Sequence, residues 1–173
     1  QLLNCRDADT DETRYMEVIH RKTAKLFEAA AQMGPVLTQQ AELEAPLAQY
    51  GRHLGAAFQL IDDVLDYTSN AEELGKNIGD DLAEGKPTLP LIYAMQQGDA
   101  QQKDMIKRAI ETEGLDLLNE VIEIIGQTGA VEFTRQRAQQ EAELAKQALT
   151  PLANSDYKTA LLALADLAVN RRH

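Results

Sequence analysis

The stretch FQLIDDVLDY, from Phe58 to Tyr67, decides which fold this chain can adopt. Its apolar residues recur at helical spacing, yet it also carries three aspartates, Asp62, Asp63 and Asp66. Carboxylates are among the side chains that are least often buried without a partner. The stretch therefore predicts a helix that is packed on most sides and carries a narrow acidic stripe formed by these aspartates.

The residues around this stretch place the acidic stripe on one side of the helix. At about 100° per residue, the opposite arc holds six apolar side chains: Leu47, Tyr50, Leu54, Phe58, Ile61 and Leu65. Gln59 lies within the stripe, and Gly51 and Gly55 permit another backbone to approach closely. We therefore expect the acidic stripe to face an enclosed cleft.

Helical patterns dominate the rest of the chain. An amphipathic pattern over residues 15–30 precedes Gly34-Pro35, where we expect that helix to end. The helix with the acidic stripe is expected to start near Ala45-Pro46, and residues 68–86 read as a polar loop. Later helices are expected near 88–97, 101–112, 115–126, 130–149 and 155–171. Because strand signals are almost absent, the 173 residues predict an all-α domain.

Charge and cysteine content exclude several classes of partner. The formal net charge of -11 makes a nucleic-acid backbone an unsuitable partner. No apolar run reaches the length of about 18 residues that a bilayer requires, so we expect no integral membrane segment. The single cysteine, Cys5, excludes an internal disulfide framework and fits a reducing cytosol, and we therefore expect a cytoplasmic protein.

The acidic stripe has two interpretations from the residues alone. Carboxylates about 4 Å apart repel each other by about 4 kcal/mol at an effective dielectric of about 20, but by only about 1 kcal/mol in bulk water. In an enclosed cleft this repulsion calls for a cation, and a set of oxygen ligands suits Mg²⁺. On an open surface the same residues would form an ordinary solvated acidic face.

Two neighbouring motifs add positive charge. The stretch GKNIGDDLAEGKPTLP, residues 75–90, places Lys76 and Lys86 each directly after a glycine, with Asp80 between them. The earlier stretch RKTAKLF, residues 21–27, places Lys22 and Thr23 at the centre of a mainly apolar face. Carboxylates that bind Mg²⁺, together with ammonium groups, are the combination that a diphosphate requires.

These motifs together carry a family resemblance. FQLIDDVLDY, preceded by KTAKLF and followed by GKNIGDDLAEGKPTLPL, resembles the trans-polyprenyl diphosphate synthases, and among them the bacterial octaprenyl diphosphate synthases. The resemblance covers residues 1–173 and implies the C-terminal half of an all-α, isoprenoid-synthase-type helical bundle. The family's second aspartate-rich motif is matched. Its first motif has no counterpart here, because Asp7, Asp9 and Asp11 have the wrong spacing.

The resemblance implies a role for each residue of the acidic stripe and its neighbours. Asp62 would contact Mg²⁺ that bridges to the allylic diphosphate, and Asp63 and Asp66 would ligate the metal or orient its waters. The catalytic residues implied around the diphosphate are Lys22, Thr23, Gln59 and Lys76.

The same resemblance implies a set of substrate-binding residues. Lys86 and Asp80 would hold the loop and the metal shell, and Phe58 would line the pocket beside isopentenyl diphosphate. Arg171 and Arg172 resemble the basic C-terminal tail that covers this pocket in some members of the family.

The reaction implied by the resemblance joins isopentenyl diphosphate to an allylic diphosphate. The allylic C–O bond breaks, the isopentenyl double bond attacks C1 of the resulting cation, and a proton is then lost. Metal ions and lysines stabilise the charge that grows on the departing diphosphate. The expected product is octaprenyl diphosphate for the side chain of ubiquinone.

Other classes of function stay open. The chain could be a non-catalytic homologue or partner subunit, or a helical interaction protein with an acidic groove. Because it begins with Gln1 and matches only half of the family domain, we expect a piece that is incomplete for catalysis by itself. Such a piece would expose apolar helix faces, so we expect a homo-oligomer, in the simplest case a homodimer.

Overall fold

The computed structural model describes residues 5–68, 78–112 and 114–171, and most of them are helical. The elements in chain order are α1 Glu12–Ile19, a π-helical turn His20–Ala24, α2 Lys25–Leu37, α3 Ala41–Thr68, α4 Asp80–Ala83, α5 Leu89–Gln97, α6 Ala100–Thr112, a 3₁₀ turn Leu115–Leu117, α7 Leu118–Gln127, α8 Ala130–Ala148 and α9 Asp156–Asn170. These ranges contain no β-strand, which confirms the all-α prediction. Among the described residues, no helix combines the length and apolar character that crossing a membrane requires.

The chain divides into two compact units, and the boundaries between them fall within α1, α3 and α8. Unit one contains the described parts of 1–16 and 62–135. Its core joins the end of α3 to α4, α5, α6 and α7 through buried side chains that include Tyr67, Leu82, Leu91, Ile106 and Val121. The three aspartates of the acidic stripe, Asp62, Asp63 and Asp66, belong to this unit.

Unit two contains residues 17–61 and 136–171. Its core includes Tyr50, Ala145, Leu149 and Ala165, so the first part of α3 packs with α8 and α9. The Tyr50 hydroxyl donates to the main-chain oxygen of Leu161 at 2.8 Å, which satisfies its polar end inside this core.

Helix α3 is packed on most of its surface, as its sequence predicts. Between residues 50 and 67, only Arg52 is exposed, and all others are buried or half-buried. The helix begins at Ala41, one turn before the predicted start near Ala45-Pro46. Pro46 removes only one amide donor close to the helix start, and this loss does not prevent the preceding turn from forming.

The predicted end of α2 at Gly34-Pro35 is wrong, because the helix continues to Leu37. Pro35 lacks an amide donor, but the Thr38 amide and hydroxyl both donate to the main-chain oxygen of Gly34, at 3.1 and 3.0 Å. The helix ends instead where Gln39 adopts a left-handed φ of 57°. The Gly-Pro pair was an unreliable stop signal because proline is compatible with helical φ.

The close approach predicted at Gly51 and Gly55 is confirmed within unit two. A Cβ atom on Gly51 would overlap the main-chain oxygen of Phe27, and one on Gly55 would lie 2.6 Å from the Cα of Ala24. The π-helical turn and the start of α2 therefore lie directly against α3, at a distance that only glycine permits.

Replacing these glycines should reveal how much the contact contributes to stability. We expect Gly51→Ala to destabilise the chain by roughly 2 kcal/mol or more, since the new methyl group meets a rigid backbone. Gly126→Ala is the matched control, because Gly126 is also helical and a Cβ atom there meets nothing within 4 Å. This control should stabilise α7 by about 0.5–1 kcal/mol. Denaturant unfolding measures both, and equal effects would contradict the close contact.

Candidate functional site

The three aspartates of the acidic stripe occupy different environments in unit one. Asp63 is only 2% exposed, whereas Asp62 and Asp66 are half-buried. The hydroxyl of Tyr15, on α1, donates to Oδ2 of Asp63 at 2.6 Å. A buried carboxylate needs such a partner, because an uncompensated charge inside a protein is costly. Asp63 is therefore bound by the protein itself.

Asp66 connects the acidic stripe to the segment that carries the second pair of aspartates. The main-chain amide of Asp81 donates to Oδ2 of Asp66 at 3.2 Å. The amide of Gly79 donates to the main-chain oxygen of Asp66 at 3.0 Å. These bonds place α4 against the end of α3 within unit one, although the sequence predicted only a loop for residues 68–86.

Lys86 holds this segment rather than presenting a free ammonium group. Its Nζ lies 2.8 Å from Oδ1 of Asp81 and 2.8 Å from Oε2 of Glu84. Burial by itself would lower the pKa of Lys86, but the hydrogen bonds to Asp81 and Glu84 outweigh burial and raise that pKa. Lys86 is therefore positively charged and already paired with two carboxylates, and its role in substrate binding stays a prediction.

The electrostatics of Asp66 differ from those of an ordinary surface aspartate. Burial, followed by the negative charge of Asp81, raises the pKa of Asp66 to about 7, despite the opposing hydrogen bond from the Asp81 amide. The ionised form of this side chain is therefore destabilised in the folded chain. A cation next to Asp66 would relieve the same repulsion.

The residues of unit one fit the way in which Mg²⁺ usually binds. Within the described ranges, no group of three or more His, Cys, Asp or Glu side chains forms a ready-made metal site. Magnesium commonly keeps several waters and uses only one or two carboxylates together with substrate phosphates. Asp62 and Asp66 stand four residues apart on α3, so they share one face of the helix and could supply those carboxylates.

The predicted diphosphate contacts of the KTAKLF motif lie in unit two, on the π-helical turn. The amide of Lys25 donates to the main-chain oxygen of His20, five residues earlier, which is the bond that defines a π-helix. Lys22 is exposed and Thr23 is half-buried. The Thr23 hydroxyl donates to Oε1 of Gln59 at 2.8 Å, so two of the predicted catalytic residues contact each other.

Two further predicted residues, Phe58 and Arg171, also contact each other within unit two. The guanidinium carbon of Arg171 lies 3.8 Å from the centroid of the Phe58 ring, and Nη2 donates to the Phe58 main-chain oxygen at 2.8 Å. The Phe58 ring also lies 5.6 Å from that of Phe27. Arg171, which follows α9, therefore makes two defined contacts with α3. A frayed terminus would make none.

The remaining predicted residues can be assigned only in part. Asp80, like Lys86, belongs to unit one, where it begins α4 and is half-buried. Lys76 and Arg172 lie outside the described residues, so their predicted roles stay predictions. The cleft expected beside the acidic stripe also stays a prediction.

Sequence reasoning missed Tyr15 and a histidine pair. Tyr15 was recognised only as an apolar position of a helix, and nothing in the sequence links it to an aspartate 48 residues later. In unit two, Nδ1 of His53 lies 2.7 Å from Oε2 of the buried Glu141. The nearby His20 has a buried Nδ1 with no hydrogen-bond partner among the described residues, and burial, followed by the charge of Arg52, lowers its pKa.

Comparison with known proteins gives a consistent result. A family model described as polyprenyl synthetase matches residues 1–125. Octaprenyl diphosphate synthase from Escherichia coli (strain K12) is 52% identical over 173 residues, which cover 99% of this chain and 54% of that protein. Octaprenyl diphosphate synthase from Haemophilus influenzae is 49% identical over 175 residues, which cover 100% of this chain and 53% of that protein.

A solved structure gives the same picture of the fold. Polyprenyl synthase from Caulobacter crescentus CB15, crystallised with calcium and isoprenyl diphosphate, matches with a TM-score of 0.94 at 39% identity. The match covers 100% of this chain and 54% of that chain. This chain therefore spans about half the length of the curated relatives that it matches.

The raised pKa of Asp66 predicts a pH-dependent gain in stability for Asp66→Asn. The folded pKa of about 7 lies above the ordinary value of 3.8, so the wild-type chain loses stability as the pH rises from about 4 through 7. Asparagine keeps an oxygen to accept the Asp81 amide but cannot ionise. In metal-free buffer we expect this variant to be more stable by roughly 1–2 kcal/mol at pH 8, less than the full shift because water still reaches the carboxyl.

Denaturant unfolding between pH 4 and pH 8, with a chelator present, measures this effect. The advantage of Asp66→Asn should be smallest near pH 4. The control is Asp104→Asn, at an exposed position of α6 in the same unit. An advantage that does not change with pH would show that burial does not perturb Asp66.

Proposed function

The chain belongs to the polyprenyl synthetase family, and we propose that it forms part of a Mg²⁺-dependent prenyltransferase that joins isopentenyl diphosphate to an allylic diphosphate. The observation that carries this proposal is the acidic stripe on an otherwise packed α3. Two of its carboxylates, Asp62 and Asp66, are half-buried, and the third is bound by Tyr15.

Magnesium is the proposed cofactor. The proposed ligands are Asp62 and Asp66, with Asp63 behind them and Asp80 at the edge of the metal shell. Bound there, Mg²⁺ would supply positive charge to a diphosphate leaving group. The raised pKa of Asp66 supports the proposal, because a carboxylate that is repelled by neighbouring aspartates gains most from a cation.

The diphosphate contacts are proposed for the π-helical turn and for Lys76. Lys22 is exposed and so retains an ammonium group that a diphosphate can reach. The bond from Thr23 to Gln59 orients both polar side chains. π-Helical turns occur frequently at functional sites, because the extra residue changes the direction in which side chains point. Phe58, Arg171 and Arg172 are proposed for isopentenyl diphosphate, and the stacking of Arg171 on Phe58 supports this.

The product is proposed from the names of the relatives. The two relatives compared above are both octaprenyl diphosphate synthases, so we assign an octaprenyl diphosphate product, with ubiquinone side chains as its use. A cytosolic location belongs to the same proposal, and the single free cysteine agrees with it.

Self-association is proposed from the apolar surface of α2 in unit two. Leu26, Met33 and Leu37 follow one side of this helix and are 74%, 57% and 75% exposed. Val36 on the same helix is also exposed. Large apolar side chains grouped in this way usually mark a surface that another protein segment covers. A homodimer, or contact with a further part of the family domain, would cover it.

The magnesium proposal predicts metal-dependent binding of inorganic diphosphate by this chain. Calorimetric titration should give binding with Mg²⁺ and none with a chelator. Asp62→Ala should abolish the dependence on the metal, whereas Asp104→Ala, at an exposed position of α6, should leave it unchanged. Equal binding with and without Mg²⁺ would leave the acidic stripe as a solvated acidic face.

The second prediction concerns catalysis by the chain alone. With radiolabelled isopentenyl diphosphate and an allylic primer, we expect little or no elongated product, because the family's first aspartate-rich motif has no counterpart here. Adding a segment of the Escherichia coli relative that bears this motif should produce elongation. Robust elongation by the purified chain would show that the first motif is not needed. No elongation in either mixture would favour a non-catalytic partner subunit.

A further inference from the structure

We propose that Tyr15 is a positioning residue for the acidic stripe: its hydroxyl holds Asp63 away from the metal and thereby fixes the direction in which Asp62 and Asp66 point. This inference rests on the proposed function, since it assumes that the stripe binds Mg²⁺. It concerns residues that all belong to unit one.

The geometry of the Tyr15–Asp63 contact is that of a strong hydrogen bond. The hydroxyl oxygen lies 2.6 Å from Oδ2 of Asp63, within the range of charge-assisted O–H···O⁻ bonds. Tyr15 is 5% exposed and Asp63 is 2% exposed, so water competes little for either group. The bond connects α1 to α3 across 48 residues of sequence.

The direction of this bond does not change under ordinary conditions. Burial, followed by the charge of Asp63, raises the pKa of Tyr15 well above its ordinary value of 10.0. The hydroxyl therefore keeps its proton and always acts as the donor. Asp63 is thereby held at a position that is 2% exposed, whereas Asp66, which also accepts a hydrogen bond, is half-buried and can be reached more readily by a metal.

Holding Asp63 affects its neighbours because all three carboxylates stand on one helix. Asp66 is rotated by about 40° from Asp62, whereas Asp63 is rotated by about 100° from Asp62 and about 60° from Asp66. A roll of α3 that brought Asp63 toward a metal beside Asp66 would turn Asp62 away from it. The bond from Tyr15 opposes that roll, so it selects the pair Asp62 and Asp66 over the pair Asp63 and Asp66.

A second buried tyrosine provides a control. Tyr50, in unit two, is 2% exposed, and its hydroxyl donates to a main-chain oxygen instead of a carboxylate. Tyr50→Phe removes a buried hydroxyl and one hydrogen bond, just as Tyr15→Phe does. Tyr15→Phe should lose more stability, because its partner is a buried carboxylate instead of a neutral main-chain oxygen. Only Tyr15→Phe should affect the acidic stripe.

The experiment measures the binding of inorganic diphosphate to the full chain at a series of Mg²⁺ concentrations. We expect Tyr15→Phe to weaken binding about tenfold, the loss typical of one hydrogen bond to a charged group, and to raise the Mg²⁺ concentration needed for half-maximal binding. Tyr50→Phe should change neither quantity. A merely structural role for Tyr15 would lower the unfolding midpoint without changing the dependence on Mg²⁺.

The double variant Tyr15→Phe/Asp63→Asn separates positioning from direct ligation. Removing both partners leaves no buried charge without its donor, so we expect binding close to that of the wild-type chain. If Asp63 were itself a metal ligand, the double variant would bind as poorly as Asp63→Asn alone, and the inference would be wrong. If Tyr15→Phe does not fold, the comparison of the double variant with Asp63→Asn still tests the inference.

The wild-type chain distinguishes the two proposals. If the wild-type chain binds diphosphate equally well with and without Mg²⁺, the proposed function is wrong. The proposed role of Tyr15 is then wrong as well. If wild-type binding requires Mg²⁺ but Tyr15→Phe behaves like Tyr50→Phe, only the positioning role is overturned.

Discussion

The structure depends on the burial of carboxylates on a helix that is packed along most of its length. Asp63 is almost fully buried, and the hydrogen bond that Tyr15 donates offsets part of the cost of burying its carboxyl group. This bond connects α1 to α3 within unit one. Asp66 imposes a requirement of its own, because the amide of Asp81 must approach its carboxylate, and this approach places α4. The acidic stripe therefore connects α1, α3 and α4 within unit one, and its residues Asp62 and Asp66 are half-buried.

In unit two, the packing of α3 is limited by the size of side chains instead of by buried charge. Gly51 and Gly55 allow the π-helical turn to lie against α3, and this contact brings Thr23 to Gln59. A larger side chain at either glycine would push the turn away before it changed any polar group. Thr23 and Gln59 of this unit are therefore positioned by backbone contact, whereas Asp63 and Asp66 of unit one accept hydrogen bonds from neighbouring elements.

Features that depend on local periodicity could be predicted from the sequence. Features that depend on contacts between distant residues, or on details of backbone conformation, could not. The packed faces of α3 and the close approach at its glycines follow from helical spacing and residue size, and both were correct. The π-helical turn could not be predicted, because residues 20–24 have no composition that distinguishes it from an α-helix. The end of α2 was wrong because Gly34-Pro35 is only a weak stop. Tyr15 was missed because its partner Asp63 is remote in sequence, and a tyrosine on an apolar face usually belongs to the core.

Asp63 and Asp66 illustrate how a fold can position carboxylates for a proposed binding site while losing only part of its stability. Asp63 is almost fully buried and accepts a short hydrogen bond from Tyr15, so it adds order, and we propose that it has less access to a cation. A carboxylate that is buried beside like charges, such as Asp66, destabilises the folded chain and is therefore stabilised by a bound cation. Both aspartates lie within about one turn of α3, so the proposed metal site would combine a fixed carboxyl group with one that a cation would stabilise. This proposed division of roles gives a reason for three aspartates on a helix whose residues between 50 and 67 are, apart from Arg52, buried or half-buried.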